Sequence, residues 1–256
     1  SRNTRIVQQR KFIFTAAYQK TINCDFIFTC MPTINWLRKE FYYGYDSGNV
    51  LSVIPNWRRL NEERIIGGSY RNVFMKGAIP YLRADSNVLE LGPGKGAWSR
   101  AIMKYIPQGK LTTLDFQDVR QWLHPENYNM RMDNIQVSDN SFSTVPDNSF
   151  DFFWSFGVLC HNNINDIRDI FKNSLPKMKS GGYAVHMYGD WDKLEKWGWK
   201  KGKVPLEFKN KPDDEIWWPR NNQQQMRKAA EDAGWEVVTP DMGLVKRDSI
   251  ILLRAK

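Results

Sequence analysis

The chain has 256 residues, 41% hydrophobic and 14% aromatic, with a net charge of +9, enough for one large domain or a domain plus an extension, with a core that needs no disulfide staples. Cys24, Cys30 and Cys160 form no CxxC pair, which argues against a disulfide scaffold or a structural zinc site, and no run of 18 apolar residues offers an ordinary transmembrane helix. The charge is uneven. Residues 1–80 hold 12 Lys and Arg against 5 Asp and Glu, a balance that suits an acidic substrate, RNA or a membrane surface, or is simply a solvated face.

In chain order, Arg10-Lys11 before Phe12 has the outline of a signal peptide. The apolar stretch is too short and no small-residue cleavage site follows, so that reading is rejected. Because the chain starts at Ser1, it is expected to be a trimmed or processed form, or a piece of something longer. Helices are predicted at 5–20, 33–43 and 59–79, the last around the Gly67-Gly68 break. From Asn87 the pattern changes to alternating strands (88–91, 110–115, 134–137, 150–156, 183–187, 235–239, 249–254) and helices (97–105, 165–178, 223–233). That alternation predicts an α/β fold, a Rossmann-like, seven-stranded, mostly parallel sheet with helices on both faces. Residues 1–80 are expected to be an N-terminal helical extension that caps the active site on the 81–256 domain. Residues 190–220, which hold 5 of the 11 tryptophans, are expected to be a lid insertion.

The first strand runs into Glu90-Leu91-Gly92-Pro93-Gly94-Lys95-Gly96. A strand, a glycine turn and a helix bring backbone close to a ligand. The spacing differs from the dinucleotide fingerprint, and a carboxylate two residues before the first glycine would repel a pyrophosphate. It suits a ligand with an ammonium and a sulfonium, namely S-adenosylmethionine; the bland alternative is a tight turn. Asp115 ends the second strand, where a carboxylate accepts from both ribose hydroxyls, or caps the next helix. Asp139 follows the third strand and is expected to take an adenine amino group, or else is a turn aspartate.

With VLELGPGKG (88–96), Asp115, Asp139, DNSFDFFWSFGVLCH (147–161) and LPKMKSGGYAV (175–185), residues 85–256 resemble the class I S-adenosylmethionine-dependent methyltransferases, especially the broad small-molecule type. The resemblance implies S-adenosylmethionine as cofactor, with Glu90, Gly92 and Gly94 at the methionyl end, Asp115 at the ribose, Asp139 and Asn140 at the adenine, and Ser155 beside it. Lys95 is an unusual cation in the loop, expected to face solvent or the methionyl carboxylate. His161, just past the fourth strand, is the expected general base, with a hydrogen-bonded scaffold histidine as the alternative. Tyr70, Arg71, His186, Asp190 and Trp191 are the expected substrate contacts. No metal ligand is assigned; Asp190 and Asp192 are a weak candidate pair for a divalent metal, or for an amine or hydroxyls of a substrate.

The function expected from these features is cytoplasmic methylation of a small molecule, chiefly at oxygen of a sugar, polyketide or other natural-product intermediate. An RNA methyltransferase and N- or C-methylation of a small molecule are the alternatives. The expected partner is the small-molecule substrate, with no membrane and with nucleic acid disfavoured, and a module that has lost its cofactor is the non-enzymatic reading. The Ser155-Phe156-Gly157-Val158 stretch resembles neither the Asn-Pro-Pro-Tyr loop of base-amino methyltransferases nor a Pro-Cys nucleophile.

Overall fold

The computed structural model describes residues 46–256, so the helices expected at 5–20 and 33–43 lie outside the described residues, as do Cys24 and Cys30. Local chemistry sets the element ends. The Asn56 side chain caps α1 (Trp57–Ile66), which stops at left-handed Gly67. Ser69 caps α2 (Tyr70–Gly77). These are the two halves of the single helical stretch expected at 59–79, parted by the glycine pair.

Seven strands follow: β1 (Asn87–Leu91), β2 (Lys110–Asp115), β3 (Met132–Gln136), β4 (Phe150–Ser155), β5 (Met178–Tyr188), β6 (Glu236–Thr239) and β7 (Ser249–Arg254). They form one sheet in the order β3-β2-β1-β4-β5-β7-β6. Strands β1 to β5 pair in parallel, and β7 runs antiparallel between β5 and β6. This is the expected Rossmann-like architecture. Between β1 and β2 lies α3 (Ala97–Tyr105); α4 (Ile164–Ser174) follows β4, and α7 (Gln223–Asp232) precedes β6. The expected insertion holds two short helices, α5 (Trp191–Trp197) and α6 (Trp199–Gly202), followed by 3-10 turns.

Strand alternation explains the near-continuous apolar runs. Val88, Phe152, Trp154 and Val185 face one side and pack with Phe74 and Trp98. Leu89, Phe153 and Ala184 face the other, against Phe171 and Met226. Each such fully buried large side chain contributes about 1.5–3 kcal/mol relative to exposure.

Two boundaries differ from the sequence reading. The helix expected to reach residue 178 stops at Ser174, because Pro176 starts a 3-10 turn and has no N–H for a continuing helix. β5 starts at Met178 rather than Tyr183, since the strand passes through Gly181-Gly182 with an irregularity opposite Phe150/Phe152.

The chain fills β1–β3 on one side and returns to β4 on the other, so the carboxyl ends of β1 and β4 flank the topological switch where ligands bind in such sheets. The turn that opens there tolerates no side chain at Gly92 or Gly96. At Gly96 φ is +82°, and an added Cβ would sit 2.2 Å from Leu123 Cδ2. Gly96→Ala is therefore expected to cost about 1–2 kcal/mol from the left-handed backbone alone, plus the displacement of Leu123. Gly77→Ala, where a Cβ meets its nearest atom at 3.7 Å, is expected to hold or gain stability. Urea unfolding of both variants checks the contrast.

Candidate active site

The loop after β1 is drawn in by backbone bonding: Gly92 N–H donates to the Leu114 carbonyl at 2.8 Å. Gly92, Gly94 and Gly96 all have positive φ, and a Cβ on Gly92 would lie 2.4 Å from Val158. Arg100 braces the loop from α3, donating to the Lys95 carbonyl at 2.7 Å and to Asp46 at 2.6 Å. The Lys95 ammonium rests 5.3 Å from the Trp122 ring centroid, which accounts for that cation by an aromatic contact.

Two carboxylates stand beside this loop. Glu90 is 1% exposed and accepts from Ser99 Oγ at 2.5 Å. Burial raises its pKa to about 8, with Asp115 adding to the rise and Ser99 opposing it. Asp115 accepts from Gln117 N–H at 2.9 Å and from the Gly94 and Phe116 backbone, yet burial still holds its pKa up at about 6. Ser99 carried no weight in the sequence reading, because a serine two residues inside a helix has no motif of its own.

The adenine-side expectations sit further out. Asp139 is exposed and receives the Ser141 N–H at 2.8 Å, so it forms the turn foreseen as its alternative. The Asn140 carbonyl accepts from Asn173 Nδ2 at 3.0 Å.

The opposite wall is aromatic. The Tyr70 ring lies 5.2 Å from both Trp98 and Phe156, which brings α2 over the start of α3 and the end of β4. Arg71 follows on α2, half-buried. His161, in the turn after β4, donates from Nδ1 to the Trp217 carbonyl at 2.8 Å, and Trp218 stands edge-on to it at 5.3 Å. Since a carbonyl only accepts, Nδ1 carries the proton, and in the neutral ring Nε2 holds the lone pair. Burial lowers the His161 pKa to about 4, and the Arg247 charge lowers it further against the opposing Trp217 bond.

Four expected contacts take other places. His186 is fully buried on β5, its Nδ1 2.8 Å from Ser155 Oγ, and both residues are at 0% exposure. This places His186, expected as a substrate contact, and Ser155, expected as a cofactor contact, inside the sheet, where they pair through Nδ1 while His186 Nε2 is buried without a hydrogen bond among the described residues. Asp190, also at 0%, caps α5 by accepting from Asp192 and Lys193 N–H, and its other oxygen accepts from Ser249 Oγ at 2.6 Å. That role replaces the expected substrate contact. Trp191 turns into the insertion, donating to the Trp218 carbonyl at 3.1 Å and meeting Trp199 edge-on. Its indole props the wall beside His161. Among the described residues no group of three or more His, Cys, Asp or Glu is arranged to hold a metal ion.

A methyltransferase-domain family model matches residues 68–239. The chain belongs to that family. No curated protein matches the sequence. Solved structures share the fold at low identity. PH0226 protein from Pyrococcus horikoshii is 13% identical, with a TM-score of 0.58 over 87% of this chain and 99% of that one. An S-adenosylmethionine-dependent methyltransferase from Aquifex aeolicus is 14% identical, with a TM-score of 0.54 over 77% and 93%. Geranyl diphosphate C-methyltransferase from Streptomyces coelicolor is 12% identical, with a TM-score of 0.54 over 87% and 97%.

The protein is thus a class I methyltransferase, and S-adenosylmethionine is its cofactor. The glycine cradle and the two carboxylates fit that group. Glu90 and Asp115, held partly protonated by burial, form an acidic recess that a cationic ligand compensates. Burial favours the neutral acid and the ligand favours the carboxylate, so binding is expected to release protons below about pH 8. Affinity then rises from pH 6 to 8 and levels off above. Calorimetry in two buffers of different ionisation enthalpy checks this, and Glu90→Gln should flatten the dependence. Asp115→Ala is expected to weaken S-adenosylhomocysteine binding by about 1–3 kcal/mol, through lost charge-assisted bonds.

Proposed function

We propose that this methyltransferase acts on an oxygen of a small acceptor, a sugar, polyketide or other natural-product intermediate. His161 serves as general base, and the acceptor lies between the loop after β4 and the aromatic wall. The observation that carries this reading is the His161 tautomer. The Trp217 carbonyl holds the Nδ1 proton, so Nε2 is the basic atom at the carboxyl end of β4. Tyr70 and the Trp217–Trp218 segment supply flat walls that suit a ring and exclude water. Residues 46–80, through Tyr70, and the 190–220 insertion form the cover in this reading; residues 1–45 of the expected cap lie outside the described residues.

The bound cofactor supplies a methyl group already activated on a cationic sulfur. The protein therefore provides alignment and a place for the proton. With that cofactor bound, Nε2 of His161 would accept the proton of the acceptor hydroxyl, and breaking of the methyl–sulfur bond would leave a neutral thioether as the leaving group. Asp115 and the glycine loop fix the donor's orientation, and the aromatic wall fixes the acceptor's.

Transfer of labelled methyl from S-adenosylmethionine to panels of hydroxylated sugars, phenols, amines and total RNA tests the class. Hydroxylated small molecules are expected to be labelled, whereas labelling of RNA or of amines alone would contradict the reading. On the acceptor so found, His161→Ala is expected to lower turnover by about 10²–10⁴ with donor affinity kept. At saturating donor, turnover should stay flat from pH 6 to 8 and fall only towards pH 4, because His161 is held near 4. An acid limb near 6.5 would place the base elsewhere.

A further inference from the structure

Arg247 lies in the connection between β6 and β7, outside every segment that the sequence marked for the site. It is 9% exposed, and its guanidinium joins three parts of the molecule. Nε and Nη2 donate to Asp248 Oδ2 at 2.9 and 2.8 Å. Nη1 donates to the Gly202 carbonyl at the end of α6, at 3.0 Å. The guanidinium carbon stands 4.4 Å from the centroid of the Trp218 ring. The next residue back in that strand of chain, Trp217, provides the carbonyl that holds His161 Nδ1 at 2.8 Å. Asp248 is at 0% exposure, so the pair is fixed from behind.

We propose that Arg247 is the positioning residue for His161: by gripping Gly202 and Trp218 it fixes the Trp217 carbonyl, and so sets which imidazole nitrogen carries the proton and where the ring points. The proposal deepens the reading of His161 as base and rests on it for its catalytic meaning. Two physical arguments support it. A buried ion pair is weakly stabilising against apolar residues of the same shape, so bulk stability does not account for the arrangement. The planar fork reaches a carboxylate, a carbonyl and an aromatic face at once, which a lysine ammonium does not reproduce. The Arg247 charge acts on His161. Around Arg247 itself stand Asp248, the Cys160 thiol and Tyr70, and Lys193 and Asp190 act on Asp248 from the far side.

The test is imidazole NMR of the full chain loaded with S-adenosylhomocysteine, which needs neither acceptor nor turnover. The chain has 3 histidines, and His161→Ala assigns the signal. Three variants are compared with the parent. Arg247→Lys keeps the cation and loses the fork. Arg247→Met with Asp248→Asn removes both charges and leaves no unpaired buried one. Arg220→Met removes a different arginine of the insertion, which stacks 4.6 Å from Trp191 and pairs with Asp213.

In the parent, His161 is expected as the Nδ1-protonated tautomer. Both Arg247 variants should shift it to a mixture of tautomers. The double variant should also raise its titration midpoint, as the cation leaves. Arg220→Met should leave both readouts unchanged. An unchanged tautomer in a folded Arg247→Lys protein would overturn the proposal, as would an equal change in Arg220→Met. If the double variant fails to fold, Arg247→Lys decides by the tautomer alone. Failure of the base reading shows separately, as undiminished turnover in His161→Ala with the tautomer result intact.

Discussion

The site depends on how closely the loop after β1 approaches its neighbours. Side chains at Gly92 and Gly96 would overlap Val158 and Leu123, so the loop closes only because glycine has no Cβ and accepts positive φ. With the loop closed, the Gly92 bond to Leu114 locks the end of β1 to the end of β2. Glu90 and Asp115 then share one edge of the sheet, each raised in pKa by the burial that this closure imposes. A looser turn would hydrate both carboxylates and remove the acidic recess.

The proposed acceptor side is built differently. There the scaffold is side-chain packing between distant segments: Tyr70 from α2, Phe156 from the end of β4, and Trp217 and Trp218 from the insertion. The charged groups in this wall are paired, as with the buried Arg247 and Asp248 and the half-buried Lys193 and Asp241, or hydrogen-bonded, as with Asp190. The donor side is thus fixed by backbone geometry and the acceptor side by side chains. This division suits a family in which one cofactor serves many acceptors.

The donor half was legible because its signals are local. The strand, the glycine spacing and the acids at strand ends lie within short windows, and the seven strands follow from burial on both faces. The acceptor half was less legible. The histidine at 186 reads like one at a strand end, but β5 runs on to Tyr188 and β7 covers it, which leaves His186 inside the sheet with Ser155. Asp190 reads as a free acid, whereas its neighbours make it a helix cap. Arg247 and Asp248 look like an ordinary charged turn before a strand. Their partners, Gly202 and Trp218, lie far away in sequence, and no periodicity announces such a contact. His161 is legible as a candidate from its position after β4, but the burial that lowers its pKa is not.

The most direct measurement is a crystal structure of the full chain with S-adenosylhomocysteine. The account predicts the methionyl end against Gly92–Gly96 beside Glu90, the ribose hydroxyls on Asp115, and the sulfur facing the space bounded by Tyr70, Phe156 and His161. A ligand bound away from the carboxyl edge of β1 and β2, or a sulfur turned from that space, would contradict it.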